Sequence, residues 1–285
     1  MNRFQIIQPS VLLAPYVKQY WFLTMDRAGQ ISQRLFPVGC AGLSLFREQQ
    51  VYSSSENCFL PGFHVSGQYT AYTDMSIPGN SSSIAIIFQP AGIRAFFTVP
   101  ASEFENRKVS VAALSDPQLL ELGNRLTDTT RCGMCVELIE KFLLKRICRI
   151  GGDHRERMES VVRSIDNGQC DISALAQTAC LSYKQFKRIF TESVGSNPKD
   201  YLRITRFRKA IRIMQICPQV TLSELAESCG YFDKSHLIKE MKEFSGYTPG
   251  EYLSVQRMEL DRQNYKPYDP NSDQFSLFRS AFSDR

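Results

Sequence analysis

The sequence predicts an α+β protein of two domains. A β-rich N-terminal domain, like a barrel or sandwich, is followed by helices and then by an all-α domain with two helix-turn-helix motifs. Three observations predict this: a length of 285 residues, enough for two cores; a change from short apolar segments separated by turns to amphipathic helices; and an internal repeat in the last part of the chain.

The second copy of the repeat shows the helix signals most clearly. Thr221 and Glu224 form a capping box, which predicts the start of a helix. Gly230 ends this helix, because glycine enters a left-handed turn at little cost. A new apolar stripe follows and ends at Gly246. Two helices joined by a short turn form a helix-turn-helix, whose second helix is shaped to enter the major groove.

The first copy lies about fifty residues upstream, from Asp171 to Tyr201. Beyond the turn the offset is fifty-one residues, which matches Gly195 with Gly246. A helix over about 198–216 is predicted between the two copies. At 1.5 Å per residue it is roughly 28 Å long, near the roughly 34 Å between successive major-groove segments on one face of B-DNA.

These A-x-x-x-G-(aromatic) turns and G-x-(T/S/N)-P-x-x-Y endings make residues 153–257 similar to the DNA-binding domain of the AraC/XylS family of bacterial transcription regulators. The resemblance implies two units that each read one major-groove segment, with double-stranded DNA and RNA polymerase as partners. Two departures are visible: Cys180 replaces the usual glycine of the first turn, and Met241 replaces a phenylalanine. The double helix-turn-helix domain is expected to occupy residues 151–257.

Helical geometry and the family motif together predict which side chains face DNA. Arg188 suits guanine, since arginine or lysine to guanine is the commonest specific contact. Ile238 suits either a thymine methyl or an added core contact. Arg206 suits either a structural ion pair or a phosphate contact. The candidate DNA-binding residues are Ser182, Tyr183, Lys184, Lys187, Arg188, Lys234, Ser235, His236, Ile238 and Lys239.

Residues 1–112 are predicted to form a β-rich sensing or effector domain, in which the segment 83–88 is a candidate buried strand. Aromatic walls with one convergent charge suit a small polar effector. Ordinary core packing with one surface arginine is the alternative interpretation. The candidate effector-binding residues are Trp21, Phe36, Phe63, Tyr69, Tyr72, Phe88 and Arg94.

Two helices are predicted in a connector at residues 113–150, the first beginning at Asp116-Pro117 and the second at about Cys135. In regulators of this family such helices often provide a two-fold contact, so a homodimer is one interpretation, and packing against the sheet is the other. Gly151-Gly152-Asp153 predicts an interdomain linker, and residues 258–285 a polar C-terminal tail.

The sequence does not favour an enzyme, a cofactor or a metal site. His64 is the one histidine of the N-terminal half, whereas metal-dependent β-barrel oxygenases need two or three with a carboxylate. Nucleophile-elbow, P-loop and dinucleotide-binding motifs are absent. Cys132 and Cys135 form a C-x-x-C, but it lacks the βαβ context of a redox motif and the second ligand pair of a zinc site.

Charge and compartment signals agree with a DNA-binding protein. The net charge is +5, and nine basic but only two acidic residues lie between Ser182 and Arg212. This excess predicts phosphate contacts, although a solvated helix face is the simpler alternative. The sequence shows no signal peptide and no 18-residue apolar run. Nine scattered cysteines fit a reducing compartment, so a cytoplasmic protein without a membrane partner is expected.

The expected function is therefore a one-component transcription regulator that responds to a small-molecule effector bound by its N-terminal domain. Two alternatives remain. One is a DNA-repair enzyme fused to a similar reader, which would require an activated, exposed cysteine; no P-C-H-R-type motif is present. The other is a ligand-free adaptor that acts through protein contacts.

Overall fold

The computed structural model describes residues 3–26, 29–147, 153–263 and 276–279. Within these residues the strands form two antiparallel sheets. The strands are β1 Arg3–Ile7, β2 Val17–Met25, β3 Gln30–Leu35, β4 Gly42–Arg47, β5 Tyr52–Ser53, β6 Cys58–Phe59, β7 Phe63–Ser66, β8 Thr73–Pro78, β9 Ser81–Phe88, β10 Lys108–Ser110 and β11 Ser276–Arg279. The first sheet has the order β1-β2-β9-β4-β7-β10, and the second has the order β11-β3-β8-β5-β6.

Both faces of the first sheet are covered, as its alternating residues show. Tyr20, Ile86, Leu43 and Val65 follow one row across β2, β9, β4 and β7 and are buried in the core on the helical side. Their neighbours in sequence point to the opposite face, because successive strand residues alternate. That second face meets the second sheet, with a smaller core that contains Met75.

The described residues also include nine α-helices. They are α1 Pro117–Asp128, α2 Cys132–Ile147, α3 Asp153–Asp166, α4 Ile172–Thr178, α5 Tyr183–Val194, α6 Pro198–Ile216, α7 Leu222–Cys229, α8 Lys234–Ser245 and α9 Pro249–Gln263. The predicted fold class, a β-rich domain followed by helices and a helical domain with two helix-turn-helix motifs, is confirmed.

The helices α1 and α2 pack on the first sheet through apolar side chains that include Leu122 and Ile139. Asp116 caps α1 and pairs with Arg146 of α2 at 2.6 Å, which joins the two helices. Of the two interpretations of this connector, packing on the sheet is what these contacts bear out. Helix α2 begins at Cys132, three residues before the predicted start, so the C-x-x-C lies in its first turn.

Two separate cores hold the helix-turn-helix units. The first unit packs α3, α4 and α5 around Phe186 and Phe190, and the second packs α7 and α8 around Leu237 and Met241. Helix α6 contributes to both cores, so the connecting helix is also the structural centre of this part of the chain.

The structure describes the predicted linker and C-terminal tail only in part. Gly151 and Gly152 of the predicted linker lie outside the described residues. Helix α9 continues to Gln263, inside the segment expected to be a polar tail, and β11 in the same segment pairs with β3. None of the described helices is both long and apolar enough to span a lipid bilayer.

Candidate nucleic-acid interface and effector cavity

Helix α5 separates an inward apolar face from an outward basic face. Ser182 and Gln185 form a capping box at its start, and Phe186, like Ile189, is buried. Ser182, Tyr183, Lys184, Lys187 and Arg188, the five predicted DNA-binding residues of this unit, are all exposed. Arg188 Nη1 lies 3.1 Å from Glu192 Oε1, a surface ion pair that costs little to exchange for a phosphate or a base.

Helix α8 exposes fewer of its predicted DNA-binding side chains than α5 does. Asp233 caps it by accepting a hydrogen bond from the backbone N–H of His236 at 2.7 Å. Lys234, Ser235 and Lys239 are exposed, whereas His236 and Ile238 are half-buried. Ile238 is not among the residues that pack in the core of this unit, which favours the thymine-contact interpretation over the core contact.

The His236 ring is held by contacts on both of its nitrogens. The Phe232 backbone N–H donates to Nδ1 at 3.4 Å, and Nε2 lies 3.4 Å from Glu240 Oε1. The ring also stands edge-on to Tyr231, with the centroids 5.3 Å apart. A DNA-contacting role for His236 stays a prediction, and the ring has a structural role as well.

Glu240 is the centre of an ion-pair network between α8 and α6. Its carboxylate is 3% exposed and accepts a hydrogen bond from Arg203 Nε at 2.7 Å. Arg206 Nη2 lies 3.4 Å from the same oxygen, so Arg206 forms the structural ion pair that was one of its two interpretations. Arg203 also pairs with Glu243 at 2.7 Å. Two of the nine basic residues counted between 182 and 212 therefore neutralise carboxylates of α8.

The N-terminal domain holds both recognition helices at equivalent points. Gln68 Nε2 donates to the backbone oxygen of Val194 at 2.9 Å, and Arg34 Nη1 donates to that of Ser245 at 3.2 Å. Val194 and Ser245 are fifty-one residues apart, so they correspond in the repeat. Each ends its helix and leaves carbonyl groups without a partner in the helix. We name these two contacts the helix-end contacts.

A cavity of about 190 Å³ lies between the two sheets. Its floor on the first sheet includes small side chains, among them Ser44 and Ala85, which face each other across β4 and β9. The wall on the second sheet consists of larger, mainly apolar side chains. The cavity residues of that wall are Gln33, Leu35, Thr73, Met75 and Ile77.

The structure places three of the seven predicted effector residues at this cavity: Trp21, Phe36 and Tyr69. The other four do not line it. Phe63 packs against Gly123 of α1, Phe88 is 0% exposed in the helical-side core, and Tyr72 stacks on Arg34 at the domain boundary. Arg94 donates to the backbone oxygens of Phe97, Thr98 and Val99 near the surface.

Several polar cavity residues were missed from the sequence, among them His64 and Lys108. Burial lowers the pKa of His64 to about 4, so the ring is neutral at physiological pH, and its Nδ1 lies 2.8 Å from the Pro61 carbonyl oxygen. The strand register was the missing signal, since Lys108 pairs with Ser66 and thereby joins the row of the cavity floor. Only the pairing of β7 with β10 brings Lys108 there.

Two buried cysteines of the described residues, Cys135 and Cys229, lack the activation that a repair enzyme would need. Burial raises the pKa of the Cys135 thiol, although Arg47 lies 3.3 Å away, and burial raises the pKa of Cys229 to about 11. A raised pKa leaves less thiolate, which is the reactive form. Among the described residues, no group of three or more histidine, cysteine or acidic side chains is arranged to hold a metal.

Comparisons with known proteins give separate matches for the N-terminal and C-terminal parts of the chain. Residues 175–254 match a family described as "Helix-turn-helix domain", and residues 5–110 match one described as "Domain of unknown function (DUF6597)". The Escherichia coli K12 protein "Uncharacterized HTH-type transcriptional regulator YidL" is 22% identical over 146 residues, 48% of this chain and 49% of that protein. The matched part thus spans about half the length of this relative.

Two solved structures are also similar. The DNA-binding domain of AdpA, solved in complex with a target DNA, is 25% identical, with a TM-score of 0.35 over 37% of this chain and 97% of that one. ToxT from Vibrio cholerae is 11% identical, with a TM-score of 0.44 over 88% of this chain and 98% of that one.

Proposed function

Since residues 175–254 form a helix-turn-helix domain of the AraC type, we propose that the chain is a transcription regulator that binds specific sites in double-stranded DNA. One observation carries the proposal. Two repeat-related recognition helices, α5 and α8, each bury an apolar face and expose lysine side chains on the other. Such a pair of helices on one connecting helix suits two successive segments of the major groove.

The two helices are proposed to contribute differently to recognition. Lys184, Lys187 and Arg188 of α5 are proposed to reach base edges and phosphates, and Ser182 and Tyr183 to contact the backbone beside them. In α8, Lys234, Ser235 and Lys239 are proposed for the same purposes, with Ile238 against a thymine methyl. The exposure of these polar side chains supports this assignment.

A small-molecule effector is proposed to act from the cavity between the sheets. Phe36 lines that cavity, and its ring also packs 5.9 Å from Phe207 and 6.2 Å from Tyr252 in the core of the second unit. A molecule that displaced Phe36 would therefore change the packing of α6 and α9. It would also disturb the nearby helix-end contact of Arg34, and with it the spacing of the recognition helices.

Selection of bound sequences from a random DNA pool by the full chain tests the DNA-binding proposal. We expect one enriched site with two sequence elements about one helical turn apart. The variant Lys184→Ala should weaken binding at the first element and Lys239→Ala at the second, while Lys141→Ala, an exposed lysine of α2, serves as the control. A chain that enriches no sequence, and binds all duplexes equally at low salt, would contradict the proposal.

Contact with RNA polymerase and formation of a homodimer complete the proposed function. Transcription in vitro from a promoter that carries the selected site tests the first, with the Lys184→Ala variant as the inactive control. Sedimentation at several protein concentrations, with and without the site, tests the second. Two copies of the selected element in one site would support a dimer.

A further inference from the structure

The cavity between the sheets is lined by residues with buried polar atoms that lack a partner in the described part of the chain. Trp21 Nε1 and Tyr69 Oη are both buried, and neither has a hydrogen-bond partner among the described residues. Buried polar groups are almost always hydrogen-bonded, so each such group calls for an explanation. Both residues line the cavity, and a polar ligand group at the Tyr69 end would supply the partner that the Tyr69 hydroxyl lacks.

Among the described residues, the cavity wall contains a cationic side chain. Lys108 is the one charged side chain among the described lining residues; its side chain is 5% exposed. Its ammonium group lies 4.7 Å from the centre of the Tyr69 ring, so the cation and the Tyr69 hydroxyl belong to the same end of the cavity. His64 adds no charge, since burial holds its pKa at about 4.

Lys108 is paired from outside the cavity by Glu56. The Glu56 side chain is 36% exposed, and Glu56 does not line the cavity. An ammonium group has three donors, and one carboxylate together with one aromatic face leaves a donor for a ligand. A ligand carboxylate would compete with Glu56, which can turn into solvent at little cost because it is exposed.

The cavity volume limits the ligand to a compact molecule. An apolar cavity of about 150 Å³ is known to hold benzene, and this cavity has about 190 Å³. A single ring or a short chain with one polar group therefore fits. The small floor residues Ser44 and Ala85 leave room for the apolar part, and Leu35 and Met75 cover it from the second sheet.

We propose that the cavity binds a small monocarboxylate, with one ring or a short alkyl chain, whose carboxylate is held by Lys108 Nζ and Tyr69 Oη. The apolar part lies over the small residues of the floor, toward Trp21. This inference rests on the effector role proposed above and gives the chemical class of that effector.

Calorimetric titration of the full chain with benzoate and hexanoate tests the ligand class, with benzamide and hexanamide as neutral partners of the same shape. We expect at least one carboxylate to bind about tenfold or more tightly than its amide. Equal affinity for acid and amide, or no binding of any of the four, would overturn the proposal.

Two variants with opposite expected effects on affinity test where the ligand carboxylate binds. Lys108→Met keeps the apolar stem and removes the charge, so it should weaken carboxylate binding about tenfold or more. Glu56→Gln removes the competing carboxylate and should strengthen binding a few-fold. Lys141→Met is the matched control, as an exposed lysine on α2. If Lys108 had a purely structural role, both Lys108→Met and Glu56→Gln would weaken binding, and that result would overturn the assignment.

A cavity-filling variant shows that the ligand binds inside the protein. Ala85→Leu should abolish binding while the chain still folds, as judged by circular dichroism, because the added atoms occupy the floor. Unchanged binding would contradict the site.

The selected DNA site separates this proposal from the regulator itself. If the chain binds that DNA and none of the carboxylates, the ligand class is wrong and the regulator stands. If it binds a carboxylate and no DNA, the DNA-binding proposal fails instead.

Discussion

The two helix-turn-helix units share an order of helices and both pack on α6 through apolar cores, but the second adds a buried ion-pair network. Ile189 of the first unit is an apolar side chain, 5% exposed in the core. The position fifty-one residues later is Glu240, 3% exposed and bonded to Arg203 and Arg206. The same place in the repeat thus carries a hydrophobic contact in one unit and a buried ion-pair network in the other.

This difference changes how strictly each recognition helix is oriented. Apolar packing is non-directional, whereas a carboxylate that accepts from two guanidinium groups fixes distance and angle. The network also includes His236, which connects the turn to α8. We therefore expect the second helix to hold a defined orientation on α6 and to depend strongly on a few polar atoms.

The N-terminal domain, by contrast, contacts the two units at corresponding positions of the repeat. The helix-end contacts join Gln68 and Arg34 to equivalent carbonyl groups, and a left-handed glycine follows each of them. Both glycines also lie against the N-terminal domain, Gly195 near Ala101 and Gly246 near Arg34. The faces proposed to read DNA are left exposed, because this domain contacts the ends of the two helices.

The largest effect is expected for Glu240→Ala. Removal of the carboxylate leaves Arg203 and Arg206 without their partner, which should lower the free energy of unfolding by about 3 kcal/mol, the low end of the range for a broken buried pair. Urea denaturation followed by circular dichroism measures it. Glu243→Ala, with a side chain 43% exposed, is the control and should cost less than about 1 kcal/mol. Equal losses would mean that burial of the network does not matter.

Gly246→Ala should show the next largest effect. Gly246 has φ +73°, and an added Cβ would lie 2.5 Å from Arg34 Nη1 and 3.0 Å from Tyr72. Gly230→Ala is a matched control, because Gly230 has φ +74° with no atom within 4 Å of the added Cβ. Both variants should lose about 1–2 kcal/mol for the left-handed backbone.

Only Gly246→Ala should lose more than that, because it also displaces the helix-end contact of Arg34. The additional loss should become smaller when Arg34→Ala is made in the same chain, and the close approach to Tyr72 remains. If the additional loss is unchanged there, the helix-end contact has no energetic role at this site.

The contribution of each unit to sequence recognition is separated by Arg188→Ala and Lys239→Ala. Arg188→Ala should weaken specific binding by about 1–3 kcal/mol and relax the preference at one base position of the first element only. Lys239→Ala should act on the second element. Titrations of the selected site and of singly mutated sites measure both. A uniform loss on all sequences would identify Arg188 as a phosphate contact.

Glu192→Ala sharpens the same comparison. It removes the partner of Arg188 without changing any proposed DNA contact, so binding should strengthen or stay the same. Weaker binding would show that the ion pair orients Arg188 for recognition.

The sequence predicted the repeated helical elements well because their signals are local. The capping box at Thr221 and the helix-ending glycines at 195 and 246 each involve a few neighbouring residues, and the structure contains all of them. Helix α6 has the predicted bounds for the same reason. Periodicity also predicted the inward and outward faces of α5 and α8.

The N-terminal site was predicted only in part, because its residues are brought together by strand register. Phe88 and Trp21 both belong to apolar strands, yet one faces the helices and the other faces the cavity. A shift of one residue reverses the face, and composition does not reveal it. Glu240 was missed because a buried carboxylate on a recognition helix is recognised only from its partners on α6.

The smallest effect is expected for Cys180→Gly, which tests the turn where the two units differ. Cys180 has φ +53°, and the second unit has a glycine, Gly230, in the corresponding turn. The left-handed conformation destabilises a residue with a Cβ by about 1–2 kcal/mol. Replacement by glycine removes this cost, but the greater entropy of glycine in the unfolded chain offsets about 0.5–1 kcal/mol of the gain. The variant should therefore be more stable by a few tenths to about 1 kcal/mol.

Cys170→Gly, at an exposed cysteine of the same unit outside a left-handed turn, should not be stabilising. A stabilisation of both variants would show that loss of a thiol, rather than relief of the backbone, is responsible, and the two turns would then differ in sequence but not in strain.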